Sequence, residues 1–260
     1  MKLKSAIMAM AAALSSIAVA QAQHEHSDVE FGYDNTANPT GFVIEGDELT
    51  LDGIQFFEAE MEAFDPFSPG DFGSDEPGFA TNAAEGLLIN SGDQIYLRIL
   101  DASLYSAFGV GFLNYYNPNT DALEASAARR ILAEQNSGAF ADLIINGTGF
   151  ESGDNPIFVD FGDGSGDIHD HVFFDLLDDA TAPFGAYGLL VRLESDFASN
   201  GFGSTDLESA PFWMIWNHGM DETTFDTMAL AKFGAVPEPS SLLLLGGLAL
   251  GAVGFRRRRS

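Results

Sequence analysis

Cysteine is absent from all 260 residues. No disulfide can brace the fold, and no thiolate can act as a nucleophile or bind zinc, haem iron or an iron–sulfur cluster. Any transition metal must therefore be held by histidine and carboxylate. Positive charge is also scarce: 11 Lys and Arg stand against 39 Asp and Glu, a formal net charge of −28. A surface of that sign repels nucleic acid and anionic lipid, attracts cations and keeps an exported protein in solution. The local patterns of several enzyme classes are missing too. There is no G-x-S-x-G elbow, no H-E-x-x-H helix and no phosphate loop ending in Gly-Lys-Ser/Thr, and "GDGSG" at 162–166 reads as a turn that does nothing to activate Ser165. Among so many acids no carboxylate pair stands out for glycoside hydrolysis. The expectation is a binding or structural protein rather than an enzyme.

The few cations are concentrated at the two ends. Lys2 and Lys4 open "MKLKSAIMAMAAALSSIAVAQA", where an apolar stretch and then small residues follow in the order of a secretory signal peptide, residues 1–22, for signal peptidase to remove. At the other end Pro237, Glu238 and Pro239 precede an apolar run from Leu242 to Phe255 and the cluster Arg256 to Arg259. The run is short for a bilayer span, but its arginines favour the cytoplasmic side, so a transmembrane helix is expected here. Residues 237–260 resemble the PEP-CTERM sorting signal. That resemblance implies recognition by an exosortase, export across the inner membrane of a Gram-negative bacterium, loss of the tail, and a cell-surface or extracellular product.

Without both ends, residues 23–236 keep 5 Lys and Arg against 38 Asp and Glu. The length fits a single β-sandwich domain, and 23 Phe in the chain can furnish a core without disulfides. Short apolar segments recur between clusters of Gly, Asp, Asn and Pro, among them "DVEFGY", "DQIYLRIL", "AYGLLVRLES", "PFWMIWN" and "TFDTMALAKF". Asp52-Gly53 is a hairpin-type pair between two strand-like runs. The fold class expected is all-β, an antiparallel β-sandwich or jelly roll. One inserted helix is expected at "NTDALEASAARRILAEQNSG", where Ala, Leu, Glu and Arg recur at helical spacing before a Ser137-Gly138 stop.

Four of the five histidines form two His-x-His pairs: His24 and His26 in "QHEHSD", His169 and His171 in "GDIHDHVFFD". In a strand each pair would project from one face about 6 to 7 Å apart, a spacing that lets both rings reach one ion. His218 ends another expected strand. The expected site is thus His24, His26, His169, His171 and His218 converging on a divalent transition metal. Zinc is first, then copper, nickel or manganese, with Glu25, Asp28, Asp167 and Asp170 available to add an oxygen ligand or orient a ring. "DFGDGSGD" at 160–167 has the composition of a calcium loop but lacks the glycine at the sixth position, so calcium is the lesser expectation.

The order of "HEHSDVEFGY", "DEPGF", "GDGSGDIHDHVFFDL", "GAYGLLVRLES" and "PFWMIWNHG" is similar to a group of PEP-CTERM proteins of cyanobacteria and related bacteria under zinc-uptake-repressor control. The resemblance implies expression under zinc shortage, extracellular zinc capture, and the five histidines as its ligands. The alternative is a structural or adhesive component of the extracellular matrix, binding calcium weakly or matrix polysaccharide, with incidental histidines.

Overall fold

The computed structural model describes residues 28–37, 39–46, 48–63, 72–135, 139–177, 183–196 and 207–235. Within them the apolar segments become strands because side chains alternate across an extended chain, so every second one can be buried. Numbered in chain order, they form three sheets. A four-stranded sheet holds β1 (Val29–Tyr33), β2 (Phe42–Glu45), β6 (Phe79–Thr81) and β14 (His169–Asp170) in the order β14-β6-β1-β2. A six-stranded sheet holds β4 (Glu62–Ala63), β5 (Phe72–Ser74), β10 (Arg130–Ala133), β11 (Leu143–Asn146), β12 (Gly149–Ser152) and β15 (Phe174–Leu177) in the order β12-β11-β10-β15-β5-β4. The largest sheet contains β3 (Gln55–Glu60), β7 (Gln94–Leu100), β13 (Ile157–Phe161), β16 (Gly185–Ser195) and β18 (Phe212–His218), ordered β13-β7-β16-β18-β3. Strands β8 (Leu113–Asn117) and β17 (Leu207–Glu208) pair with β16, and β9 (Ala122–Glu124) pairs with β8. Pairing is antiparallel except for β1 with β6 and β3 with β18.

The main core contains Val29, Phe31 and Tyr33 of β1, Ile131 and Ala133 of β10, Phe174 and Leu176 of β15, and Leu189, Val191, Phe212, Met214 and Trp216 of the largest sheet. The two smaller sheets thus make one layer and the largest sheet the other. The all-β sandwich expected from the sequence is the observed fold. The other face of the largest sheet is covered over part of its area by a helical segment, α1, built of an α turn (Glu222–Thr224), a π turn (Phe225–Ala229) and a second α turn (Leu230–Phe233). Phe225, Ala229, Leu230 and Phe233 pack there on Phe56, Leu190, Trp213 and Ile215. Residues 185–191 of β16 and 212–216 of β18 are therefore buried on both faces, which is why they read as continuous runs without a charged residue.

The helix expectation is corrected in both directions. Among its described residues, "NTDALEASAARRILAEQNSG" holds β9 and β10 and no helix. In β10 Ile131 and Ala133 are fully buried while Arg130 and Leu132 are half-buried, a period of two that burial imposes over the helical propensity of Ala, Leu and Arg. "TFDTMALAKF", expected as a strand, is instead part of α1. Asp221 caps it, its carboxylate accepting from the Thr224 N–H at 3.0 Å, and Gly234 ends it in the left-handed conformation at φ 91°.

Candidate metal centre

The register of the four-stranded sheet assembles the site. Phe79 of β6 pairs with Val29 on one side and with Asp170 on the other. Asp28 and His171, one residue beyond each partner, consequently flank Gly78. Gly78 has no side chain to separate them: a Cβ there would lie 2.6 Å from both Asp28 Oδ1 and His171 Cε1. His169 pairs with Ala80, and its Nε2 lies 3.1 Å from Asp28 Oδ2. The two imidazoles are 5.4 Å apart, centroid to centroid. Asp28, His169 and His171 each offer a ligand atom, and these atoms all lie within 4.8 Å of one another.

Immediately after His171 the chain crosses from the four-stranded sheet into the six-stranded one, where it continues as β15. The crossing explains why a strand appears to begin with histidine: β14 is two residues long and ends as the sheet does. His171 Nδ1 is 2.9 Å from the Asp75 carbonyl oxygen and 4.0 Å from Glu76 Oε1, and its own N–H donates to Asp170 Oδ1 at 2.8 Å. With the proton on Nδ1 donated to that carbonyl, the Nε2 lone pair is the ligand position, the usual arrangement of a metal-binding histidine. Burial draws the His171 pKa down, but the Asp75 carbonyl and the charges of Glu76, Asp28 and Asp75 outweigh it, so the net shift is upward. His169 is 68% exposed and His171 29%, so the cluster opens to solvent and needs no channel. An acidic cleft of about 440 Å³ adjoins it, bounded in part by Glu60, Glu62, Asp75 and Glu76.

The other expected ligands have different places. His218 is 1% exposed and packs edge-on against Phe72 at 4.6 Å, with Phe184 at 5.6 Å and Tyr187 at 6.2 Å; it belongs to an aromatic part of the core and is not in the cluster. His24 and His26 lie outside the described residues, as do Glu25 and the apolar run of the tail. Among the described residues no helix is long and apolar enough to cross a membrane. The acidic turn closes on itself: Asp163 Oδ1 accepts from the Ser165 N–H, the Ser165 hydroxyl and the Asp167 N–H at 2.7 to 3.0 Å. The loop residues Asp75, Glu76 and Gly78 escaped the sequence reading. They stand in "DEPGF", which the sequence offers only as one of the segments that carry the family resemblance.

Residues 235–259 match the PEP-CTERM protein-sorting motif. The protein is therefore exported, processed at its C-terminus by exosortase, and delivered to the cell surface or beyond it in a Gram-negative bacterium. No curated protein and no solved structure matches the chain.

Proposed function

We propose that this exported protein binds a divalent transition metal, zinc first, through Asp28, His169 and His171. What supports the reading is the convergence of three ligand atoms, contributed by two distant segments, within 4.8 Å of one another. Two imidazole nitrogens and a carboxylate oxygen suit zinc, which takes four ligands and tolerates water as one of them. His26 and His24 precede Asp28 by two and four residues. An extended chain advances at most about 3.6 Å per residue, so both have the reach to complete the coordination. The exposure of His169 fits a site that exchanges its ion with the surroundings, and zinc capture outside the cell when zinc is scarce is the role we assign it.

The test is metal analysis by mass spectrometry of residues 23–236, purified without a histidine tag and dialysed against a weak chelator, followed by zinc titration. About one zinc per chain is expected. The combined His169→Ala and His171→Ala variant should lose it while keeping its β-sheet circular dichroism. Undiminished affinity in that folded variant would overturn the assignment.

A second reading, a matrix component that gathers calcium and associates with polysaccharide, is favoured by one feature. Glu30, Glu45 and Glu85 also bring ligand oxygens within 4.8 Å of one another. It calls for calcium-dependent association with matrix polymer, unaffected by the histidine changes.

A further inference from the structure

Among the described residues ten large hydrophobic side chains are exposed. Five of them, Leu49, Leu51, Leu104, Tyr105 and Val110, lie on two loops that meet beside Gly234 and Ala235, the last described residues. Thr50 bridges to Ala235, and the Leu51 N–H donates to the Gly234 carbonyl at 2.6 Å. Thr50 is buried, so Leu49 and Leu51 on either side of it turn outward, Leu51 to 69% exposure. The second loop is fastened to the first: the Ser106 hydroxyl and the Ala107 N–H donate to Asp52 Oδ2 at 2.8 and 2.9 Å. Its Phe108 ring lies so close to Gly234 that a Cβ there would meet it at 2.4 Å. Leu104, on the same loop, is 77% exposed.

Ala235 is also the first residue of the sorting motif. Only Val236 to Ser241 separate it from the apolar run that begins at Leu242. Fully extended, that connection spans at most about 25 Å. A folded unit of about 200 residues has a radius of gyration of about 16 Å and is roughly 40 Å across. The tether is shorter than the body it holds. While the tail is in place, the face around Ala235 cannot be turned away from the membrane.

We propose that this apolar face is a membrane-docking surface of the uncleaved protein, seated on the lipid interface until exosortase removes the tail. Leucines and a tyrosine are side chains that partition to that interface. So small a patch binds weakly alone, but a short tether holds it at an effective concentration on the order of millimolar. Residues 23–236 as a whole, with 5 cations against 38 acids, have no attraction for anionic lipid, so cleavage frees the domain. Docking would hold the Pro237-Glu238-Pro239 segment at a fixed height above the bilayer for its processing enzyme.

The lack of native cysteine makes the test direct. The chain from Gln23 to Ser260 is reconstituted in nanodiscs of zwitterionic lipid, with one nitroxide at a time on Leu51→Cys, Leu104→Cys or, as a control, Phe161→Cys. Phe161 is exposed on β13, at the opposite edge of the largest sheet from β3, to whose Gln55 Leu49 bridges. Labels at 51 and 104 should lose most of their collisions with a water-soluble paramagnetic relaxant relative to the label at 161, and regain them once the tail is cut off after Val236. Equal accessibility at all three positions would overturn the proposal. So would shielding that appears only when exosortase is reconstituted alongside, because the face would then belong to the enzyme.

Discussion

Asp28 and His171 meet across Gly78, whose missing side chain is the space in which their ligand atoms approach. No other residue fits there without moving one of the two. Gly78→Ala is expected to push Asp28 and His171 apart and weaken zinc binding by 10-fold or more, on the order of the loss seen when a group that orients a metal ligand is removed. Titration calorimetry beside a thermal melt separates the two possible effects. Unchanged affinity in a normally stable Gly78→Ala protein would show that zinc does not bind between these residues.

The upward shift of the His171 pKa makes two opposite pH dependences. In the metal-free protein the protonated ring stands among Asp28, Asp75 and Glu76. Its stabilising contribution is complete below the ordinary imidazole pKa of about 6.5 and is lost as pH rises through the higher folded value. Zinc competes with that same proton, so zinc affinity should fall as pH drops, beginning above the range of an ordinary histidine. Melting temperatures across that range with chelator should decline toward high pH, and His171→Gln should flatten the slope. With zinc in excess the trend should reverse.

Sequence patterns revealed the sandwich because its strands obey the period of two or, over 185–191 of β16 and 212–216 of β18, form continuous runs without a charged residue. They did not reveal which of two ambiguous segments was helical. Ala, Leu and Arg in "ASAARRILAE" prefer a helix in isolation, yet Ile131 is paired between β11 and β15 and buried on a sheet. The Thr-rich "ETTFDTMALAKF" prefers a strand, yet Phe225, Ala229, Leu230 and Phe233 recur at helical spacing, and Asp221 and Gly234 mark its ends. Of the candidate site, the His169 and His171 pair was legible because a strand places alternate residues on one face. That Asp28 joins them depends on the parallel pairing of β1 with β6, a long-range contact that no local pattern encodes. That His218 packs among aromatic rings, apart from this cluster, is likewise a matter of long-range packing that no local pattern encodes.

Gly188 gives the seat of α1 a direct test. It lies in the middle of β16, opposite Ile215, and a Cβ on it would come within 2.3 Å of the Phe233 ring. Phe233 is fully buried and has no room to retreat. Gly188→Ala should cost about 1 to 3 kcal/mol, the usual range for overpacking a filled core. Urea unfolding measures it, and pairing the change with Phe233→Leu should recover part of the loss. A Gly188→Ala protein as stable as the original would mean that the helix does not bear on this strand.

Two of the five basic residues between the signal peptide and the sorting tail are spent on one carboxylate. Arg98 Nε and Arg192 Nη2 both donate to Glu194 Oε1, the latter at 2.7 Å, and Arg192 also reaches Glu208 at 2.7 Å. Burial raises the Glu194 pKa, but the hydrogen bonds from Arg98 and Arg192 outweigh it, and the net shift is downward. A depressed carboxylate stabilises the fold above its unfolded pKa, and that contribution fades as pH falls through the lower folded value. Glu194→Gln should therefore be less stable than the original near neutral pH, with two guanidinium groups left facing each other across adjacent strands. The difference should vanish in acid, once Glu194 itself is protonated. Denaturation midpoints of the two proteins between pH 7 and 3 would show this convergence, and a gap that stayed constant to the lowest pH would place the cost of the substitution in packing rather than in charge.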